Sequence, residues 1–219
     1  SNVVLGHAAA SGFALASDNV IIGHEAAVRA NGTSQNTYVG YRAGYELKGA
    51  RNSCFGYKAG GREDNNNGSE NSFFGYNAGD GNKDGSNNTC IGSNSTTGST
   101  NLTNATAIGN LCAVDAADKV WIGNASVTVI GGAADWSKAS DIKFKSEIQE
   151  NVPGLSFVTK LKPVTYKFDT KKFQENLIRN LPDSVKSRYL ENVDFKPTSN
   201  IIRTGFVAND VDRICNEIG

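Results

Sequence analysis

The sequence predicts a mainly β protein: a stacked β-roll or β-helix of eight short repeats over residues 1–135, followed by a small α+β domain over 136–219. Three observations predict it. The pattern Asn-x-x-(apolar)-Gly occurs six times, followed by two copies without the asparagine, at intervals of about 17 residues. Of 24 glycines, 21 lie in residues 1–135, whereas all four prolines (Pro153, Pro163, Pro182, Pro197) come later. The charge balance changes sign as well, from 8 basic and 11 acidic residues in the first part to 14 and 11 in the second. Shifts of this kind mark a domain boundary.

The repeat reads NVVLG from Asn2, NVIIG from Asn19, NTYVG from Asn36, NSCFG from Asn52, NSFFG from Asn71 and NTCIG from Asn88. Two degenerate copies follow, ATAIG from Ala105 and KVWIG from Lys119. The residue before each glycine is large and apolar: Leu5, Ile22, Val39, Phe55, Phe74, Ile91, Ile108 and Ile122. The residue three after it is small: Ala9, Ala26, Ala43, Ala59, Ala78, Ser95, Cys112 and Ser126. Large and small positions at fixed register let like residues lie over like residues in a stack of coils. Each strand is about four residues long and ends at a glycine, where the backbone turns or packs closely. Between strands the chain is rich in Asn, Gly, Ser and Asp, which form turns and absorb the uneven spacing.

One coil of this size buries too little apolar area to offset its ordering entropy, so stacking and partner chains must supply the rest. The repeats resemble the left-handed β-rolls of trimeric adhesin heads and the collar repeats of phage tail fibres. That resemblance implies a homotrimer whose axis is lined by the apolar positions. A monomeric β-solenoid is the alternative, and it would have to bury Tyr38, Phe55, Phe73, Phe74 and Trp121 within one chain. Acidic residues do not recur at a fixed register, which argues against a calcium-binding repeat.

The formal net charge is zero, with Lys+Arg and Asp+Glu both 22, so nothing marks a nucleic-acid groove. No apolar run is long enough for a membrane-spanning helix, and the N-terminus shows no charged segment followed by an apolar stretch. Cys54, Cys90, Cys112 and Cys215 match no metal-ligand spacing and read as small buried apolar side chains. We expect no cofactor and no metal.

In the second part, Leu155–Lys160, Lys171–Asn180, Asp183–Leu190 (with Asp183 as N-cap) and Asn209–Ile218 read as helices, the last with Val211 and Ile214 on one face. Val164–Phe168 and Ile201–Val207 read as strands. Lys171, Lys172, Arg179, Lys186 and Arg188 read as a solvated face.

Residues 137–169, SKASDIKFKSEIQENVPGLSFVTKLKPVTYKFD, and 205–214, GFVANDVDRI, resemble the endosialidase-type intramolecular chaperone at the C-termini of phage tailspikes, tail fibres and some bacterial surface fibres. Four elements of that family occur in order: Ser-Asp-x-Arg-x-Lys (with Lys143 in the place of Arg), an apolar helix, a Leu-x-Pro-Val-x-Tyr strand, and a Gly-Phe-Val-Ala-x-x-Val junction. The family continues into a long C-terminal coiled-coil helix, and this sequence stops at Gly219, before it. The resemblance implies a module that directs trimer assembly and is then released by a cut between Ala139 and Ser140. Ser140 would be the nucleophile, Lys145 its activator, and Asp141 would hold the turn or orient the lysine. A lysine serves as a base for serine when desolvation lowers its pKa. Residues five apart lie about 140° apart around a helix, so the pair needs a turn at Ser140 or a lysine from a neighbouring chain. The local motif alone also reads as an ordinary helix start, with Ser140 as N-cap.

The implied function is a trimeric fibre segment of phage tail-fibre or tailspike type with a self-cleaving chaperone, at most a single-turnover serine autoprotease. The alternatives are a secreted bacterial surface adhesin with the same module, or part of a glycan-cleaving tailspike whose catalytic domain lies upstream. The expected partners are two further copies of the chain and a host-surface glycan or protein receptor. The expected location is the virion tail or the cell surface.

Overall fold

The computed structural model describes residues 1–12, 16–61, 66–132, 145–148 and 154–218. Eight strands, one per repeat, form a single parallel sheet: β1 (Asn2–Leu5), β2 (Asn19–Ile22), β3 (Thr37–Val39), β4 (Ser53–Phe55), β5 (Ser72–Phe74), β6 (Thr89–Ile91), β8 (Thr106–Ile108) and β10 (Val120–Ile122). Each pairs with the next in strict register, so that Tyr38 lies over Cys54 and Cys54 over Phe73. The repeat domain is therefore a parallel β-solenoid with like positions stacked on like. A second, two-stranded sheet, β7 (Thr96–Thr97) with β9 (Ala113–Val114), forms only in late coils. There the turn sequence changes to β-branched residues, which favour extended backbone.

Strand alternation decides what fills the interior. The inward position is the one two residues before each glycine: Ile21, Tyr38, Cys54, Phe73, Cys90 and Ala107 are all fully buried. The small position three after the glycine faces them, with Ala26, Ala43, Ala59, Ala78, Ser95 and Cys112 also fully buried. The large apolar position immediately before the glycine points outward instead. One chain alone buries Tyr38 and Phe73, because glycines make the room. A Cβ on Gly44 would lie 2.7 Å from the Tyr38 ring, and one on Gly79 would lie 2.6 Å from the Phe73 ring. In the coil where the inward residue is the smaller Ile21, alanine (Ala27) stands at the matching position.

The asparagine that opens each of the first six repeats is a hydrogen-bond rung, buried from Asn19 to Asn88. Its Oδ1 accepts the backbone N–H of the next coil's first residue, from Asn2–Asn19 through Asn88–Ala105, at 2.8–2.9 Å. Its Nδ2 donates to a carbonyl of the turn that leads into that next coil, for example Asn52 to Gly68 and Asn71 to Gly85. Asparagine carries both an acceptor and donors, so one side chain ties two coils and a turn. Ala105 and Lys119 cannot pass the ladder on, and the array ends within that stretch. The repeat glycines form a second ladder: Gly40 has φ +136, and a Cβ there would lie 2.3 Å from the Gly56 carbonyl oxygen.

The chain divides into two compact units whose membership differs from the two halves of the composition. One joins Ser1–Val127 with Thr170–Phe195; the other joins Thr128–Asp169 with Lys196–Gly219. The boundary expected at residue 135 lies outside the described residues.

In the first unit, helices α2 (Thr170–Leu177) and α3 (Asp183–Glu191) pack on the late coils. Leu177, Ile178, Leu181, Val185, Tyr189 and Val193 form one buried cluster with Leu111 and Ala113. The N-cap of α3 is Pro182 rather than the expected Asp183, which stands in the first turn and pairs with Lys186 at 3.1 Å. Arg188, read from sequence as solvated, reaches the repeats and pairs with Asp80 at 2.8 Å.

The second unit contains helix α1 (Leu155–Val158), strand β11 (Val164–Lys167), the short helix α4 (Lys196–Ser199), strand β12 (Ile202–Gly205) and helix α5 (Ala208–Ile218). Strands β11 and β12 pair antiparallel, from Val164 opposite Gly205 to Lys167 opposite Ile202. Helix α4 was not anticipated. Ile214 is buried, whereas Leu155, Ile202 and Phe206 are 77%, 69% and 51% exposed. Among the described residues of this unit the two-stranded sheet has little core, and such a sheet is marginal by itself.

Cys54, Cys90 and Cys112 are buried as expected, but Cys215 is exposed on α5. Burial pushes the Cys112 thiol up to about 11 and the Cys54 and Cys90 thiols higher still. A pulse of iodoacetamide at neutral pH is therefore expected to alkylate Cys215 in the native protein. The other three should react only on unfolding, as read by peptide mass spectrometry.

Candidate functional site

Two surface features of the repeat unit stand out. The first is the outward apolar column. Leu5, Phe55, Phe74 and Ile91 are 66%, 37%, 38% and 42% exposed, and Ile22, Val39, Ile108 and Ile122 are half-buried. The Phe55 and Phe74 rings stack at 5.0 Å with planes 5° apart. Parallel sheets are ordinarily covered on both faces, and a continuous apolar strip of this length marks an association surface.

The second feature begins one residue beyond each glycine. His7, His24, Tyr41, Tyr57 and Tyr76 stack ring on ring at centroid distances of 5.1, 5.4, 4.9 and 5.0 Å. The column stops because the next coils carry Ser93 and Asn110 there. Beside its last two rings lies a groove of about 790 Å³ lined by Tyr57, Lys58, Gly61, Tyr76, Asn77, Asp80, Pro182, Ser184, Val185 and Arg188.

The groove wall is braced from beneath. Arg188 pairs with Asp80 at 2.8 Å and donates to Asn94 Oδ1 at 3.2 Å, and the Tyr189 hydroxyl donates to the Asn94 carbonyl at 2.6 Å. Burial, reinforced by the nearby Asp80 carboxylate, pushes the Tyr189 phenol well above its ordinary range, so it remains a neutral donor. Lys58 lies over the Tyr57 ring, 5.9 Å from its centroid, and makes no ion pair with a described residue. Coils are also tied by ion pairs such as Arg29–Glu46 and Arg42–Glu25. The Arg42 guanidinium, hydrogen-bonded to Glu25, holds that carboxyl below its usual value.

Of the residues expected to cut the chain, Ala139, Ser140 and Asp141 lie outside the described residues, and Lys145 is solvent-exposed. Among the described residues no three His, Cys, Asp or Glu side chains cluster as metal ligands, and no helix is long and apolar enough to cross a membrane. The sequence reading missed the aromatic column, although aligning the repeats one residue past the glycine displays it. It also missed the Asp80–Arg188–Asn94 network, because those residues are far apart in the chain and meet only when α3 packs. No family model, no curated protein and no solved structure matches the chain.

Proposed function

We propose that this chain is a segment of a trimeric fibre, of phage tail-fibre or tailspike type or from a bacterial surface adhesin, with a self-cleaving assembly chaperone in its C-terminal part. The outward apolar column is the observation that carries the reading. Three copies arranged around an axis parallel to the stack would cover one column each. Because every coil presents the same position, the contact would repeat along the whole array, as a fibre requires. The number three rests on the resemblance of the repeats to adhesin heads and tail-fibre collars.

The packing of Thr170–Phe195 on the late coils supports an assembly role for the C-terminal part, since it ties that part to repeats that must stack in register. In the cleavage step, Ser140 Oγ attacks the Ala139 carbonyl carbon and its proton passes to Lys145. Lys145 returns that proton to the Ser140 nitrogen, which leaves as a new amino terminus, and water then hydrolyses the ester to the Ala139 carboxylate and the Ser140 hydroxyl. The competing reading is a monomeric solenoid, favoured by the burial of Tyr38 and Phe73 within one chain.

Sedimentation equilibrium should give three times the chain mass, and lysines at Phe74 and Ile91 together should reduce it to one while the β circular dichroism persists. A native monomer would overturn the fibre reading. Denaturing mass spectrometry should show two fragments meeting at Ala139–Ser140, and a single species for Ser140→Ala. One uncut species in both would remove the cleavage roles and leave the fibre.

A further inference from the structure

The sequence contains two Asn-Gly pairs, Asn31-Gly32 and Asn67-Gly68. In such a pair the glycine nitrogen can attack the asparagine Cγ, because no Cβ stands beside it to hinder the approach. Ring closure needs a free glycine N–H, a free asparagine side chain and a backbone with room to turn. The two pairs differ on every count.

Asn67-Gly68 is held at each point the reaction uses. The Asn67 side chain donates to Asp84 Oδ1 at 2.8 Å. The Asn67 N–H donates to the Lys83 carbonyl at 2.9 Å, and the Gly68 N–H donates to that carbonyl at 3.2 Å and to Asn66 Oδ1 at 3.1 Å. Gly68 is buried, and its own carbonyl accepts the Asn52 rung at 3.0 Å. A Cβ on Gly68 would lie 2.2 Å from the Gly85 carbonyl oxygen, so the backbone there is tightly packed.

At Asn31-Gly32 both residues are exposed. Neither the Asn31 side chain nor the Gly32 N–H makes a hydrogen bond among the described residues. Nothing lies within 4 Å of a would-be Cβ on Gly32. The pair is a two-residue tip between Ala30 and Thr33, each only 1% exposed.

We infer that Asn31 is a spontaneous modification site, which converts to isoaspartate and aspartate while the fold keeps Asn67 intact. The Gly32 N–H gives its proton to solvent base, and the nitrogen bonds to Asn31 Cγ. The Cγ–Nδ2 bond breaks, and Nδ2 takes a proton from solvent and leaves as ammonia. Water then opens the succinimide ring. Attack at Cγ gives aspartate; attack at the Asn31 main-chain carbonyl carbon gives isoaspartate, with the chain running through Cβ. Either product adds a negative charge. Isoaspartate also lengthens the path into Thr33, whose carbonyl accepts the Asn19 rung at 2.9 Å. The turn between the second and third coils therefore carries a mark of the chain's age. None of this requires a trimer or a cut at Ala139–Ser140.

The test incubates the full chain in heavy-oxygen water, native and in urea, and maps its peptides by mass spectrometry with fragmentation that tells isoaspartate from aspartate. In the native chain Asn31 should convert faster than Asn67 by about tenfold or more, since the held pair reacts only after local opening. In urea the two rates should converge, because both pairs then offer the same local chemistry. Gly32→Ala should slow conversion at Asn31 several-fold and leave Asn67 unchanged. An Asn31 that stays intact in the native chain, or equal native rates at the two pairs, would overturn the inference. So would a difference that persists in urea, since neighbouring residues and not the fold would then set it.

Discussion

Gly40→Ala should destabilise the repeat unit by roughly 3–5 kcal/mol, combining a left-handed backbone that alanine resists with a backbone clash. The clash cannot be relieved by a rotamer change. The added Cβ would sit 2.3 Å from the Gly56 oxygen and 2.7 Å from its carbonyl carbon, and both atoms belong to the next coil's backbone. Moving that coil away breaks the parallel pairing on which the stack depends, because neighbouring strands sit only about 4.8 Å apart. Gly32→Ala is the matched control. Gly32 also has a positive φ, +70, but nothing lies within 4 Å of its would-be Cβ. It should cost only about 1–2 kcal/mol, the price of a left-handed alanine. Thermal melts followed by circular dichroism should separate them, with Gly40→Ala lower by roughly 5–15 °C. Equal melting temperatures would mean that conformational preference alone explains the repeat glycine and that close backbone approach does not.

The solenoid was legible in the sequence because its determinants are local and repeated. A glycine and an asparagine at fixed spacing each carry a backbone consequence, and eight copies make the register unambiguous. Which apolar position faces inward was less legible. The residue before the glycine is the more uniformly large one, and strand alternation alone does not say which face is the interior. The structure fills that core with the irregular position, which runs from Ala107 to Tyr38, and matches Ile21 with Ala27 but the larger Tyr38 and Phe73 with Gly44 and Gly79 six residues later. A single chain can adjust such pairs coil by coil. The uniform column faces outward, where the proposed trimer would repeat the same contact at every step. The helices were legible from their apolar spacing, but their destination was not. Nothing local in Leu177, Leu181 or Val185 says that they pack on Leu111 and Ala113 rather than on the strands β11 and β12 that flank them in sequence. The groove shares that limit, since half of its wall comes from α3.

Asn71→Asp is the sharper probe of the asparagine ladder, because it changes hydrogen-bonding capacity and charge while keeping the shape. Asn71 is 1% exposed, accepts from the Asn88 N–H at 2.9 Å and donates to the Gly85 carbonyl at 2.9 Å. An ionised carboxylate there could still accept from Asn88, but it would turn an oxygen toward the Gly85 carbonyl, with no cation in the ladder to offset the buried charge. The protonated acid can make both bonds, its hydroxyl donating to Gly85. Folding therefore favours the protonated form and raises the introduced group's pKa above its unfolded value of about 3.9. The sign follows directly. Below the unfolded pKa the variant should approach wild-type stability. As pH rises above it the variant loses stability, and the loss levels off above the folded pKa at roughly 3–5 kcal/mol. Asn71→Ala provides the contrast: it strands the same N–H and carbonyl without adding a charge, so its cost of roughly 2–6 kcal/mol should not vary with pH in this way. Urea unfolding from pH 3 to pH 8 distinguishes the cases. A flat profile for Asn71→Asp would mean that water or a shifted turn reaches the ladder. A falling profile would establish that the ladder is dry and tuned to a neutral amide, the side chain that can accept from one coil while donating to the turn before it and that Ala105 and Lys119 lack.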